Sequence, residues 1–217
     1  MTNNLRFKTS RFIDETLSSI FQQAVPMEVL VLDGGSTDAS LSIIKKWEPK
    51  LSYWRSSPDR GQAAAINEGV RMGHAPFVCW LNSDDRFAPG GLETLLCSIK
   101  TLGEHVPAVY GQVWNQRHPI KKCSRVKVES FDSDRLAIRC FISQPGTLIR
   151  RKCWDAVDGL NEELNMALDY DLWWRLYKTF GDLYYIDDFV AISIDHAKTK
   201  TNNNRLLHYQ EAMKVVK

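Results

Sequence analysis

Hydrophobic residues recur along this chain in two alternating patterns, which are short strand-like runs and longer segments with helical spacing. The short runs cover 29–32, 51–56 and 77–81, and in the segment after each of them apolar residues recur every three or four positions. Continuous apolar runs are typical of strands in a parallel sheet, whereas helical spacing places apolar side chains on one face. The alternation predicts an α/β fold with a Rossmann-like, mainly parallel central sheet and helices on both faces.

The second half of the chain has a less regular pattern. A strand is predicted at 108–114, and a helix is predicted to begin near Asp169 and to turn Leu172, Leu176 and Phe180 toward the core. The basic run at 117–127 has two interpretations. It is either a solvated, flexible segment or a surface that meets a phosphate-rich acceptor.

Polar residues follow two of the short runs at the point where each run ends. Asp33 and two glycines follow the first, and Asn82-Ser83-Asp84-Asp85 follows the run at 77–81. In open α/β sheets the ligand crevice lies at the carboxyl ends of the strands, so these carboxylates are expected to line one crevice. Their oxygens suit a divalent metal ion. The alternative is that Asp84 and Asp85 only cap the helix that Pro89 opens.

Composition and charge narrow the class of protein. The 217 residues carry a formal net charge of +2, which gives no reason to expect nucleic acid, and they are enough for one domain with a sizeable core. The five cysteines are widely spaced and form no CxxC pair, so neither a zinc site nor a disulfide framework is expected. No apolar run approaches the roughly 18 residues that span a bilayer. These features predict a protein of the cytoplasm.

Five motifs occur in an order and spacing that is more specific than any one of them. They are LDGGSTD at 32–38, PDRGQAAAIN at 58–67, WLNSDD at 80–85, QPGTLIRR at 144–151 and LDYDLWWRL at 168–176. Together they resemble the GT-A-fold glycosyltransferases of family 2, particularly bacterial enzymes of surface-polysaccharide synthesis. The resemblance covers roughly residues 10–200.

The resemblance implies a single GT-A domain over 1–217 that transfers a sugar with inversion. Its expected parts are a nucleotide-binding half at about 1–110, an acceptor and catalytic half at about 111–200, and a helical tail at 201–217. The implied partners are a nucleotide-sugar donor, with a UDP-sugar favoured, and a saccharide or lipid-linked saccharide acceptor. Peripheral contact with the inner membrane face is an open alternative to a purely cytoplasmic location. The implied cofactor is Mn²⁺ or Mg²⁺.

The resemblance also assigns roles to individual residues. It implies a general base at Asp169, which deprotonates the acceptor hydroxyl. It implies that the donor is bound by a set of polar residues, namely Asp33, Asp59, Arg60, Gln62, Asn82 and Asp84. It implies that the metal is held by Asp84, Asp85 and His196. Asp171 is interpreted as a helix cap rather than a second base, because residues two apart on a helix face different directions.

The chain departs from the family pattern at two places. A buried first strand of the type IVTPSYN is expected, and only MTNNLRF at 1–7 occupies that place. Asn82 replaces the first acidic residue of a DxD motif and keeps an oxygen ligand. The first departure leaves open a catalytically impaired nucleotide-sugar-binding or partner protein. Another metal-dependent nucleotidyl-transfer or phosphate-transfer enzyme is a weaker alternative, because it gives no reason for the segment at 168–176.

Overall fold

The computed structural model describes residues 10–197, 199–200 and 204–216. The first-strand prediction at 1–7 therefore lies outside the described residues. The described part is a mixed α/β fold. Its elements, in chain order, are α1 (Ser10–Phe21), β1 (Leu30–Asp33), α2 (Ser40–Trp47), β2 (Tyr53–Ser56), α3 (Gln62–Met72), β3 (Phe77–Val78), β4 (Arg86–Phe87), α4 (Gly91–Thr101), β5 (Ala108–Arg117), β6 (Lys122–Arg125), α5 (Ser133–Ile138), β7 (Thr147–Arg150), α6 (Arg151–Ala156), α7 (Leu168–Phe180), β8 (Tyr184–Asp195) and α8 (Arg205–Val215).

The strands among the described residues form two sheets. β1 and β2 pair in parallel, and the larger sheet has the order β3-β7-β5-β8-β4 with β6 paired to the far end of β5. In the larger sheet only β5 and β8 run in parallel, while the other pairs are antiparallel. The α/β class is confirmed, but the sheet is mixed rather than mainly parallel. Local hydrophobic runs do not encode strand direction, which depends on the connections between strands.

The larger sheet separates two hydrophobic clusters. Successive side chains of a strand point to opposite faces, and Val109 and Tyr110 of β5 accordingly belong to different clusters. One cluster lies beneath α7, where Leu172, Trp173 and Leu176 are fully buried. Phe180, at the end of α7, is instead exposed, so its predicted inward orientation is wrong. The other cluster packs α4 against β5 and β8.

The basic run at 117–127 belongs to the β5–β6 hairpin. All four residues of β6 are exposed, and Arg125 forms an ion pair with Asp187 at 2.8 Å. The predicted solvent exposure is confirmed, but the segment has regular antiparallel pairing to 114–117. Within the described residues, no helix is long and apolar enough to cross a membrane.

Candidate functional site

A cleft of about 1470 Å³ lies between the β1–β2 sheet and the larger sheet. Its floor follows β1 and β3, and α1 and the start of α7 form parts of its wall. Eight of the nine predicted site residues line it: Asp33, Asp59, Gln62, Asn82, Asp84, Asp85, Asp169 and His196. The structure thus brings together residues that are up to 163 positions apart in the sequence.

Asp33 ends β1 and is held by a dense set of hydrogen bonds. Its carboxylate accepts the backbone N–H groups of Gly35 at 3.1 Å and Ser36 at 2.8 Å and the hydroxyl of Ser56 at 2.5 Å. Burial acts to raise the pKa of Asp33, but the hydrogen bonds from Ser36, Ser56 and Gly35 outweigh it and lower the pKa. Asp33 is therefore a fixed anion at neutral pH. Ser56, which sequence reasoning missed, is its partner at the end of the neighbouring strand.

The predicted pair Asp59 and Arg60 separates in the structure. Asp59 accepts the N–H of Gly61 at 3.0 Å and lies so close to Gly34 that a Cβ at Gly34 would sit 3.1 Å from its Oδ2. Arg60 instead pairs with Glu162 at 2.9 Å, and its side chain is 80% exposed. Only Asp59 faces the cleft.

Gln62 and Asn82 form a chain of amide contacts across the cleft. Gln62 Nε2 donates to Asn82 Oδ1 at 2.7 Å, and Asn82 Nδ2 donates to Asp85 Oδ2 at 3.0 Å. The amide of Gln144 also contacts Asn82, and its Nε2 donates to the carbonyl of Trp80 at 2.6 Å. Asn82 thus orients its neighbours through both ends of its amide. Gln144 belongs to the QPGTLIRR motif, which was the available sequence signal for it.

Asp84, in the loop between β3 and β4, lies beside His196. His196 Nε2 lies 2.9 Å from Asp84 Oδ2, and the imidazole stacks on Phe12 with ring centroids 5.2 Å apart. Neither carboxylate near Pro89 caps the helix that follows, because α4 begins at Gly91 without a side-chain cap. The capping alternative for Asp84 and Asp85 is therefore wrong. A carboxylate oxygen suits both Mn²⁺ and Mg²⁺, whereas an imidazole nitrogen suits transition-metal ions, so the pair fits Mn²⁺ better than Mg²⁺.

Asp85 has a different environment from its neighbour. It is 4% exposed, and its carboxylate accepts hydrogen bonds from Asn82 and from Ser193 and the backbone of Ile194 in β8. Burial, with the charge of Asp84 as a second cause, raises the pKa of Asp85 to about 7. Within the described residues, no three His, Cys, Asp or Glu side chains are grouped to hold a metal ion. The expected set of Asp84, Asp85 and His196 is thus not assembled, because Asp85 is bonded to β8.

Asp169 lies in the first turn of α7 and faces the cleft. Its Oδ1 accepts the N–H of Tyr170 at 2.8 Å. Burial raises the pKa of Asp169 above its ordinary value, against the opposing effect of that hydrogen bond and of nearby His208. A carboxylate with a raised pKa is a stronger base than a solvated one. Asp171 forms an ion pair with Arg175 at 2.7 Å, so its predicted capping role is wrong.

The family model of glycosyl transferase family 2 matches residues 7–153 of this sequence. This stretch exceeds half of the chain and contains both strand-end carboxylate motifs. The chain belongs to glycosyl transferase family 2. The match ends before Asp169 and His196, so the roles of these two residues depend on the geometry of the cleft.

Relatives of the family-2 chain include polysaccharide synthases. An uncharacterized glycosyltransferase of Rickettsia prowazekii is 23% identical over 208 residues, which are 92% of this chain and 64% of that protein. The chondroitin synthase of Pasteurella multocida is 27% identical over 164 residues, which are 73% of this chain and 17% of that protein. The chain therefore spans less than two thirds of the length of these relatives.

Solved structures show the same fold. TarS of Staphylococcus aureus in complex with UDP-GlcNAc matches with a TM-score of 0.75 and 18% identity, over 97% of this chain and 63% of that one. A mannosyltransferase of Pyrobaculum calidifontis in complex with GDP-Man and Mn²⁺ matches with a TM-score of 0.66 and 17% identity, over 96% of this chain and 62% of that one. These matches confirm the GT-A fold expected from the sequence.

Proposed function

We propose that this family-2 chain transfers a sugar, with inversion and with the help of a divalent metal, from a nucleotide-sugar donor to an acceptor hydroxyl. The observation that carries the proposal is the placement of three features on one cleft. These are the Asp84–His196 pair, the strand-end carboxylate Asp33 and the half-buried carboxylate Asp169. The pair suits stabilisation of the leaving group, Asp33 suits donor binding, and Asp169 suits removal of the acceptor proton.

The donor occupies the side of the cleft formed by the ends of β1 and β2 in this proposal. Asp33 and Asp59 border the nucleoside, because both carboxylates lie where the chain turns close to the cleft. Gln62 and Asn82 lie between this region and the proposed metal pair. A UDP-sugar is the favoured donor, which is supported by the presence of UDP-GlcNAc and UDP in two TarS complexes. Arg60 has a lesser part because its side chain is paired outside the cleft.

Asp84 and His196 would hold Mn²⁺ or Mg²⁺ with one oxygen and one nitrogen ligand. When bound, the cation neutralises the charge that develops on the diphosphate as the bond to the sugar breaks. Few protein ligands are needed, because Mg²⁺ is commonly held by one or two carboxylates together with phosphates and water. The Mn²⁺ complex of the Pyrobaculum mannosyltransferase supports this assignment. Asp85 orients Asn82 from beneath the site.

Asp169 acts as the general base in this proposal. An inverting displacement requires a base on the face of the sugar opposite the leaving group, where the acceptor hydroxyl approaches. Asp169 belongs to α7, a separate element from those that carry Asp33 and Asp84, and it reaches the same cleft. Its raised pKa favours proton transfer near neutral pH. The acceptor is a saccharide or a lipid-linked saccharide, and the reaction belongs to polysaccharide or glycoconjugate synthesis.

A second candidate function is nucleotide-sugar binding without transfer. Among the described residues, β1 pairs only with β2 and β3 pairs only with β7, so one edge of each strand lacks a strand partner. Residues of both strands line the cleft, so these edges belong to the donor side of the site. Membership of family 2 disfavours the third alternative, a nucleotidyl-transfer enzyme.

Calorimetric titration with UDP, GDP and dTDP, each with and without Mn²⁺, tests the donor and metal assignments. We expect saturable binding of UDP that requires Mn²⁺, and Asp84→Ala should weaken it by about tenfold or more, since a charged ligand is lost. The matched control is Asp134→Ala, an exposed carboxylate at the start of α5, which should bind as the unmodified chain does. Nucleotide binding of equal affinity with and without Mn²⁺ would contradict the metal assignment. Binding of none of the three nucleotides would contradict the proposed function.

A further inference from the structure

A buried carboxylate from the C-terminal helix holds the start of α7. Glu211 of α8 is 5% exposed. Its Oε2 accepts the backbone N–H groups of Asn165 at 3.1 Å, Met166 at 2.7 Å and Ala167 at 3.0 Å, and its Oε1 also accepts from Asn165 at 3.1 Å. One side chain therefore binds three consecutive backbone donors that precede the helix. Nothing in the proposed donor or metal sites accounts for this contact.

The contact satisfies hydrogen-bonding groups of both Glu211 and the backbone of segment 165–167. Ala167 is the N-cap of α7 and supplies no side-chain hydrogen bond, although backbone N–H groups at a helix start require acceptors. Burial acts to raise the pKa of Glu211, but the hydrogen bonds from Ala167, Met166 and Asn165 outweigh it and lower the pKa. Glu211 is thus an anion at neutral pH, and it also lies at the end of α7 that favours negative charge.

The segment that Glu211 holds leads directly into Asp169. Asp169 is the second residue of α7, only two positions after Ala167, and its carboxylate is tied to the N–H of Tyr170. Lys200 also holds this segment, because its Nζ donates to the carbonyl of Asn165 at 2.6 Å. The backbone position of Asp169 therefore depends on groups from the C-terminal part of the chain.

We propose that Glu211 is a positioning residue that fixes segment 165–167 and thereby aims the Asp169 carboxylate at the acceptor hydroxyl. The proposal rests on the proposed function, in which Asp169 is the base. His208 of α8 lines the cleft itself, whereas Glu211 gives the C-terminal helix a part in the reaction without lining the cleft. Glu211 acts through backbone hydrogen bonds rather than through its charge on Asp169.

The first test compares three variants of the full chain by transfer kinetics and donor calorimetry. Glu211→Ala is expected to lower kcat about 10- to 100-fold and to leave the donor Kd within about twofold, because a misplaced base costs rate rather than donor affinity. Glu211→Gln should recover most of kcat, since a single oxygen accepts all three donors. Ala212→Gly weakens α8 but keeps the carboxylate, and it should retain kcat. A loss of kcat in Ala212→Gly equal to that in Glu211→Ala would overturn the proposal.

A double-variant cycle separates positioning from general stability. If Glu211 acts through Asp169, then adding Glu211→Ala to Asp169→Asn should lower the residual transfer by no more than about twofold. The same tenfold or larger loss in both backgrounds would show an independent role and overturn the proposal. Thermal unfolding should report similar destabilisation by Glu211→Ala in both backgrounds.

Two further measurements test the role of Glu211 without an assay of transfer activity. In Glu211→Ala we expect faster amide exchange at Asn165, Met166 and Ala167, together with a lower pKa of Asp169 in a carboxyl NMR titration, because a loosened segment lets water reach that carboxylate. An unchanged pKa of Asp169 and unchanged exchange would overturn the proposal. If the unmodified chain binds no donor and transfers no sugar, the proposed function fails, while these two measurements still test whether Glu211 positions Asp169.

Discussion

The two sheets place functional groups on the same cleft but are stabilised in different ways. β1 and β2 have four residues each, and every side chain of β1 is only half-buried. In the larger sheet β5 begins with six consecutive buried residues, and β8 runs beside it over most of its length. The donor side is thus held mainly by hydrogen bonds such as those of Asp33, whereas the catalytic side is fixed by the hydrophobic core. We expect the donor side to open locally at lower free energy.

The largest expected effect comes from removing the base on the catalytic side. Asp169→Asn keeps the shape of the side chain but cannot accept the proton, so transfer should fall about 10²- to 10⁴-fold while donor affinity stays unchanged. Kinetics and calorimetry on the same preparation measure the two quantities. Asp171→Asn, two residues along α7, is the matched control and should keep most of the activity. Equal activity of Asp169→Asn and the unmodified chain would remove Asp169 from the mechanism.

A matched pair of leucine truncations compares the stability of the two sides directly. Leu172→Ala empties a fully buried site beneath the larger sheet and should lower the free energy of unfolding by about 2 to 5 kcal/mol. Leu30→Ala in half-buried β1 should cost about 1 kcal/mol or less, because less apolar surface is lost from contact. Urea unfolding measures both values. Equal costs would contradict the proposed difference between the sheets.

The buried carboxyl of Asp85 is expected to make stability depend on pH. Its pKa is about 7 in the folded chain and roughly 4 when unfolded, so between these values the folded state binds the extra proton. The contribution of Asp85 to the free energy of unfolding should therefore be largest below about pH 4 and fall by about 2 kcal/mol or more by pH 8. Asp85→Asn should remove this decline in urea unfolding with a chelator present. Asp134→Asn is the exposed control, and an unchanged slope in Asp85→Asn would contradict the assignment.

The smallest effect is expected at Arg60. Its ion pair with Glu162 is on the surface, with an arginine side chain that is 80% exposed. Arg60→Ala should change the free energy of unfolding by less than about 0.5 kcal/mol. Its donor Kd should stay within about threefold of the unmodified value in calorimetry. A tenfold loss of affinity would show that Arg60 turns toward the donor when the cleft is filled, as the resemblance implies.

Sequence reasoning located most of the cleft because the ends of strands are recognisable in a single sequence. Asp33 follows an apolar run directly, Asp84 follows another run three positions after its end, and both line the cleft. The sequence did not predict the mixed strand directions of the larger sheet, because the pairing of β5 with β7 and β8 joins distant segments. Strand direction is a property of those connections and leaves no local pattern.

Contacts made by single side chains were the least predictable part of the site. Glu211 looks like an ordinary helical glutamate, and its burial follows only from the packing of α8 against α7. Asp85 is indistinguishable from Asp84 by residue type, yet one is bonded to β8 and the other contacts His196. Which of two adjacent carboxylates contacts His196 depends on backbone directions that the spacing of residues does not specify.

The parallel pairing of β5 with β8 also bears on how the chain assembles during synthesis. Val109 pairs with Tyr184 and Arg117 pairs with Asp195, so each contact spans about 75 residues. The β1–β2 pair needs only the chain up to Ser56 and is available early on the ribosome. β5 must wait for α7 and β8 to be made before its parallel neighbour exists, and such long-range contacts slow folding. The central strand β5 is therefore among the last strands to gain all its neighbours. Until then, its apolar side chains must be covered by other elements of the chain or by chaperones.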